Sequence, residues 1–124
     1  MQLRSFSLMK LLSIQVGSPR IVGDASASSS EERQWTTGFY KLPVEGAVVV
    51  GRLGLAGDGQ ADLKNHGGID KAICAYPREH LNFWERELCV TLHNGAFGEN
   101  ISLAGLVEDA VCVGDVFACG TAVL

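Results

Sequence analysis

Gly57-Asp58-Gly59-Gln60-Ala61-Asp62-Leu63-Lys64-Asn65-His66-Gly67-Gly68-Ile69-Asp70-Lys71 is the stretch on which the reading of this chain turns. It holds four glycines, three aspartates, two lysines, an asparagine and a histidine in fifteen residues, too little apolar content for a core element. Gly-Gly directly after His frees the backbone for positive φ and bares N–H groups. With its donors and one titratable ring, the segment can hold an anionic ligand. The same composition describes an ordinary glycine-rich turn between two strands, and spacing alone leaves both readings open.

Outward from this segment the pattern is mostly β. Leu12, Ile14 and Val16 alternate with Leu11, Ser13 and Gln15, which predicts a strand over 10–16. Gly17-Ser18-Pro19-Arg20 is a turn signal, and the Ser/Ala/Glu-rich run 24–33 reads as an exposed loop. Trp35 and Phe39-Tyr40 return to β-like composition, Pro43 suits an edge or strand end, and Ala47–Val50 predicts a buried strand. Ala72 to Tyr76 predicts a short buried strand. Pro77 then opens the principal helix, near residues 77–93, because its missing N–H would be unpaired at the first helical position anyway. Leu81, Trp84, Leu88 and Leu92 share one helical face, and Asn94-Gly95 supplies a terminator. Phe83 and Trp84 read as core anchors. Residues 111–113, 116–119 and 121–124 read as short strands, with Asp115 in a hairpin turn. The fold class is mainly β with minor α, a β-barrel or compact β-rich domain.

Bulk properties narrow the function. A chain of 124 residues suits one domain, and 47% apolar content suffices for a core. A net charge of -4 with no Lys/Arg stripe argues against nucleic-acid binding. No apolar run has the length of a membrane span, and the short, interrupted apolar start does not resemble a secretory signal. The expected compartment is therefore the cytoplasm. Cys74, Cys89, Cys112 and Cys119 lack C-x-x-C spacing and sit among apolar neighbours, so they read as buried free thiols. Residues 1–8 are expected to form a disordered leader, with the domain over 9–124.

A second polar-glycine cluster, Gly95-Ala96-Phe97-Gly98-Glu99-Asn100, lies downstream. In order, the chain carries Trp35-Thr36-Thr37-Gly38-Phe39-Tyr40-Lys41-Leu42-Pro43-Val44, Gly54-Leu55-Ala56-Gly57-Asp58, Asn65-His66-Gly67-Gly68-Ile69-Asp70-Lys71-Ala72, Tyr76-Pro77-Arg78-Glu79-His80, the 95–100 cluster and Val113-Gly114-Asp115-Val116-Phe117. This set resembles the MOSC domain, named for the C-terminal domain of molybdenum-cofactor sulfurase, and within it the stand-alone bacterial YiiM-type proteins. The resemblance spans roughly residues 10 to 124, and its specificity lies in the pairing of His-Gly-Gly-x-Asp-Lys with Gly-x-Phe-Gly-Glu-Asn.

The resemblance implies a MOSC-type β-barrel and binding of the molybdenum cofactor, a pterin dithiolene with a phosphate tail. It further implies a small-molecule substrate, reduction of N-hydroxylated purines or related compounds, and a redox partner supplying electrons. In the family, a Pro-Arg-x-Pro-Cys segment follows the strand matching 121–124, and its cysteine is the thiolate ligand to molybdenum. The chain ends before that segment, so it reads as a barrel incomplete at its C-terminus, and none of its four cysteines inherits the ligand role. A catalytically inactive fragment and a non-enzymatic sulfur-carrier or cofactor-binding module are the alternative functions. Edges of an incomplete barrel also open the way to self-association, a homodimer being its simplest form.

The implied cofactor-binding residues are Lys41, Asp58, His66, Gly67, Gly68, Lys71, Glu99 and Asn100, with His66 as the catalytic candidate. Each has a structural reading beside it. His66 either hydrogen-bonds the pterin and relays a proton or stays in the turn. Gly67 and Gly68 offer N–H groups or merely turn geometry. Lys71 and Lys41 suit an anionic tail or face solvent. Asp58 and Asp70 orient backbone and His66 or form Asx turns. Glu99 and Asn100 read the pterin edge or build a local network. Thr36 and Thr37 add hydroxyls or pack in a strand. No metal ligand is assigned, because His66, Cys74 and His80 lack zinc-site spacing.

Overall fold

Strand β1, Lys10–Val16, occupies the predicted residues in the computed structural model, which describes residues 9–124. The expected leader, 1–8, lies outside the described residues. The buried face of β1 differs from the alternation. Gln15 is fully buried, while Leu11 and Leu12 stay exposed. The reason is a polar core that includes Gln15, Glu99, Asn100 and Ser102, beside a small apolar one of Leu55, Leu81, Ile101 and Leu106.

The remaining elements are β2 (Arg20–Val22), β3 (Trp35–Thr37), β4 (Leu42–Pro43), β5 (Val50–Gly51), β6 (Gly54–Leu55), β7 (Ala75–Pro77), helix α1 (Arg78–Leu88), β8 (Ile101–Ala104), β9 (Ala118–Cys119) and β10 (Ala122–Val123). Short 3-10 turns cover Ile69–Lys71 and Glu108–Ala110. The described residues are thus mainly strands with one α-helix. A four-stranded sheet runs β4-β1-β8-β7, and β2-β3, β5-β6 and β9-β10 form two-stranded ribbons. β1 is antiparallel to β8, with Ile14 opposite Ile101 and an irregularity between Leu11 and Ser13. β7 joins β8 in parallel, so the chain between them must cross over, and α1 lies in that connection.

Several expectations are corrected. In the predicted strand 47–50 only Val50 enters a strand, and Val49 is exposed. The strand expected over 72–76 is displaced to Ala75–Pro77, and Ala75 is exposed. Pro77 is the last residue of edge strand β7 and caps α1 from extended backbone, a position where its missing N–H costs no ladder bond. The helix ends at Leu88, well short of 93, with Cys89 left-handed at φ 54. The Glu85 carboxylate fastens the chain just beyond this stop. It pairs with Arg78 at 3.0 Å and accepts the Leu92 N–H at 2.8 Å, while Arg78 donates to the Leu92 carbonyl. The chain after Leu88 therefore folds back along the helix. Of the predicted helical face only Leu81 is buried. Phe83 and Trp84 are exposed and pack edge to face on each other, so they are not core anchors.

The expected strand 111–113 is replaced by the Glu108–Ala110 turn and a second turn in which the Asp115 carboxylate accepts the Cys112 N–H at 2.8 Å. Strand 121–124 shortens to β10, paired with β9 across Gly120-Thr121. The cysteines are free, but Cys74, Cys89 and Cys112 are exposed and Cys119 is half-buried, against the buried reading. An apolar groove of about 770 Å³, lined by Leu11, Leu103, Val111 and Phe117 among others, explains why apolar neighbours in sequence did not bury Cys112 and Cys119: both sit at its wall. No helix among the described residues is long and apolar enough to cross a membrane.

Candidate functional site: a cleft between two glycine turns

Asp62 organises the glycine-rich segment locally. Its carboxylate accepts the backbone N–H groups of Lys64 and Asn65 and the Asn65 side-chain amide, each at 3.0 Å, and its carbonyl accepts the His66 N–H. These bonds, the Asn65 side chain foremost, hold the Asp62 carboxyl below the ordinary carboxylate range. The Lys71 ammonium donates to the Asn65 carbonyl at 2.6 Å, closing the loop from its far end. The Gly68 N–H donates to Gln60 Oε1 at 2.9 Å.

The Gly95–Asn100 turn is built around a buried carboxylate. Glu99 Oε1 accepts the Gly95 N–H at 2.6 Å and the Ser102 hydroxyl at 2.8 Å, and Oε2 accepts the Phe97 N–H at 3.1 Å. Asn100 ties strands together: its side chain donates to the Gln15 carbonyl and accepts the Cys74 N–H. Cys74 keeps exposed surface, yet crowding around it and the nearby Glu99 carboxylate push its thiol up, with Lys41 partly offsetting them.

Asp58 joins three segments. Its Oδ1 accepts the Gly17 N–H at 2.9 Å and the Lys41 ammonium at 2.6 Å, and both ionic side chains are buried, at 7% and 4% exposure. A buried charge needs such a partner.

These pieces meet at a cleft of about 540 Å³. Lys41, Asp58, His66, Lys71 and Asn100 line it, as do Thr36 and Thr37 from β3. The two glycine turns therefore face one space. Glu99, Gly67 and Gly68 are not among the lining residues: Glu99 is spent on backbone and Ser102, and the Gly68 N–H is committed to Gln60. The Asp70 side chain makes no hydrogen bond among the described residues, and Asp70 sits exposed in the 3-10 turn. The His66 ring also makes none and is exposed. His80 instead pairs with Glu108 at 2.7 Å, which holds that carboxyl below its ordinary range.

Residues that the sequence analysis gave no site role complete the cleft. Gln60 lines it, as does Asp62. Trp35, Phe39 and Phe97 add partly exposed rings, with Phe97 packed on Tyr76 at a tilt of 40° and 5.0 Å between centroids. The sequence signals for this wall were the β-like aromatic composition of 35–40 and the Gly-x-Phe-Gly-Glu-Asn motif that carries Phe97. A cleft of this size matches small-molecule sites, with apolar walls and a few converging polar groups. Among the described residues no group of three or more His, Cys, Asp and Glu is arranged to hold a metal ion. What the cleft can hold is the organic part of an anionic ligand: ring faces on Trp35, Phe39 and Phe97, positive charge on Lys71, and the His66 imidazole.

The MOSC domain model matches residues 62–124. The chain is 46% identical over 114 residues to the uncharacterized protein YflK of Bacillus subtilis, covering 92% of this chain and 49% of that protein. It is 33% identical over 92 residues to a reductase of Gibberella moniliformis, covering 72% of this chain and 16% of that protein. The crystal structure of YiiM from Geobacillus stearothermophilus aligns with a TM-score of 0.62 at 40% identity, over 93% of this chain and 48% of that one. The chain thus spans about half the length of YflK and of that YiiM. It belongs to the MOSC domain family.

Proposed function

We propose that the cleft binds the molybdenum cofactor, and that the protein reduces N-hydroxylated purines or related N-hydroxylated compounds in the cytoplasm. The observation that carries this reading is the convergence of His66 and Lys71 with the Gly98–Asn100 turn at one cleft in a MOSC chain. The residues present fit the group. A pterin is a flat, polar heterocycle with a phosphate tail, and the cleft offers ring faces together with hydroxyl, imidazole and ammonium donors. Lys71 and His66 would hold the anionic end. Thr36 and the Asn100 turn would border the heterocycle. Lys41 would act through Asp58, keeping the 57–59 backbone in place, because its ammonium is already paired.

When bound, the group supplies two-electron oxygen-transfer chemistry. Converting N–OH to N–H with release of water consumes two electrons and two protons, the electrons coming from a redox partner. His66 is exposed at the cleft, and its ring nitrogen is placed to deliver protons there. The reductase name of one relative supports this class of chemistry.

The test is to purify the protein from a host that makes the cofactor and to measure bound molybdenum by mass spectrometry and pterin by fluorescence. The reading expects both to co-purify. Protein free of both, from a host whose other molybdenum enzymes are loaded, would refute it.

A further inference from the structure

We propose that Gln60 is a positioning residue, whose carboxamide holds the His66–Lys71 loop closed so that imidazole and ammonium face the same anion. The inference rests on the reading of the cleft as an anion-binding site. Gln60 Oε1 accepts the Gly68 N–H at 2.9 Å, and Nε2 donates to the Lys71 carbonyl at 3.0 Å. One side chain thereby grips both ends of the 3-10 turn that separates His66 from Lys71.

The glycine pair is shaped to this grip. A Cβ at Gly67 would stand 2.6 Å from Gln60 Oε1 and 3.1 Å from the Asp62 carbonyl, and Gly68 takes φ 90, a region that L side chains rarely adopt. Gly67-Gly68 therefore makes room for a glutamine from the same loop. The His66 ring makes no hydrogen bond of its own among the described residues, so this backbone is what places it at the cleft. Asp58 and Asp62 also line the cleft, but Lys41 pairs the first and local donors occupy the second. Gln60 thus positions an imidazole and an ammonium without adding a negative charge beside them. A glutamate would keep the bond from Gly68 and lose the one to Lys71.

The experiment uses NMR on the whole chain, with Gln60→Leu and Gln60→Glu beside the parent. It follows amide exchange at Gly68 and the His66 ring proton during titration with inorganic phosphate. Gln60→Leu should speed Gly68 exchange and weaken the phosphate response of His66, each by roughly tenfold, about what one net hydrogen bond supplies. Gln60→Glu should keep Gly68 slow, which also shows that the loop change is not general unfolding. A Gln60→Leu protein whose His66 responds to phosphate like the parent overturns the inference, as does a parent whose His66 ignores phosphate. Molybdenum content separates the two claims. A loaded parent with a Gln60-independent phosphate response defeats the Gln60 role alone. A parent without cofactor but with the Gln60-dependent response defeats the cofactor reading alone.

Discussion

Replacing Glu99 with alanine should be among the most damaging single changes in this chain, through folding and not through lost ligand contact. The Glu99 carboxylate is fully buried and accepts from Gly95, Phe97 and Ser102. Gly95 and Ser102 are themselves buried, whereas Phe97 is partly exposed and its N–H can turn to water. Alanine therefore orphans the buried Gly95 N–H and leaves the Ser102 hydroxyl only its longer bond to Gln15 Oε1 at 3.5 Å, at about 1–3 kcal/mol each, for a loss of about 4 kcal/mol. Part of that loss is offset because a buried charge disappears as well. In urea, with a slope of about 2 kcal/mol per molar, the unfolding midpoint should fall by about 2 M. Against a typical stability of about 5–15 kcal/mol, this leaves the domain near its threshold. Glu99→Gln, which keeps one oxygen, should fall between parent and alanine. A Glu99→Ala midpoint within about 0.3 M of the parent would refute the reasoning, since it would mean that the turn never depended on the carboxylate.

Lys41→Ala should destabilise by about 3–5 kcal/mol, because it strands the buried Asp58 carboxylate. The removal of both charges in Lys41→Met/Asp58→Asn should recover much of that loss, and urea unfolding of the three variants measures it. Acid should loosen the glycine-rich loop. The Asp62 pKa is lowered on folding, chiefly by the Asn65 side chain, so its contribution is present above the unfolded value of about 3.9 and is lost as pH falls through the lower folded value. Amide exchange at Asn65 and His66 should therefore stay protected at pH 5 and lose protection below about 4, once corrected for intrinsic rates. A loss of protection centred well above that range would contradict the assignment to Asp62.

The sequence disclosed these features unevenly. Alternation at Leu12, Ile14 and Val16 marked β1 because a strand's period is local, but it could not reveal that Gln15 turns into a polar core. That core depends on Asn100 and Ser102, more than eighty residues away. The helix start was legible from Pro77. Its end was not, because the Glu85–Arg78 pair that folds the chain back at Leu92 carries no local terminator. The glycine turns were legible as motifs, and their meeting at one cleft is a tertiary fact. Glu99 and Gly68 show the other limit: a carboxylate or a bare N–H in a motif looks available for ligand until its partners within the fold are counted. Gln60 stood inside the glycine-rich stretch but left no signal of its role, since a neutral amide eight residues before Gly68 matches no turn or cap pattern.

Molybdenum per chain in the His66→Ala/Lys71→Ala protein, against the parent from the same cofactor-competent host, tests the cleft most directly. Both side chains are exposed, so the double variant should fold and unfold like the parent. Molybdenum and pterin should fall together to a small fraction of the parental ratio. A folded double variant that keeps the parental ratio would contradict it.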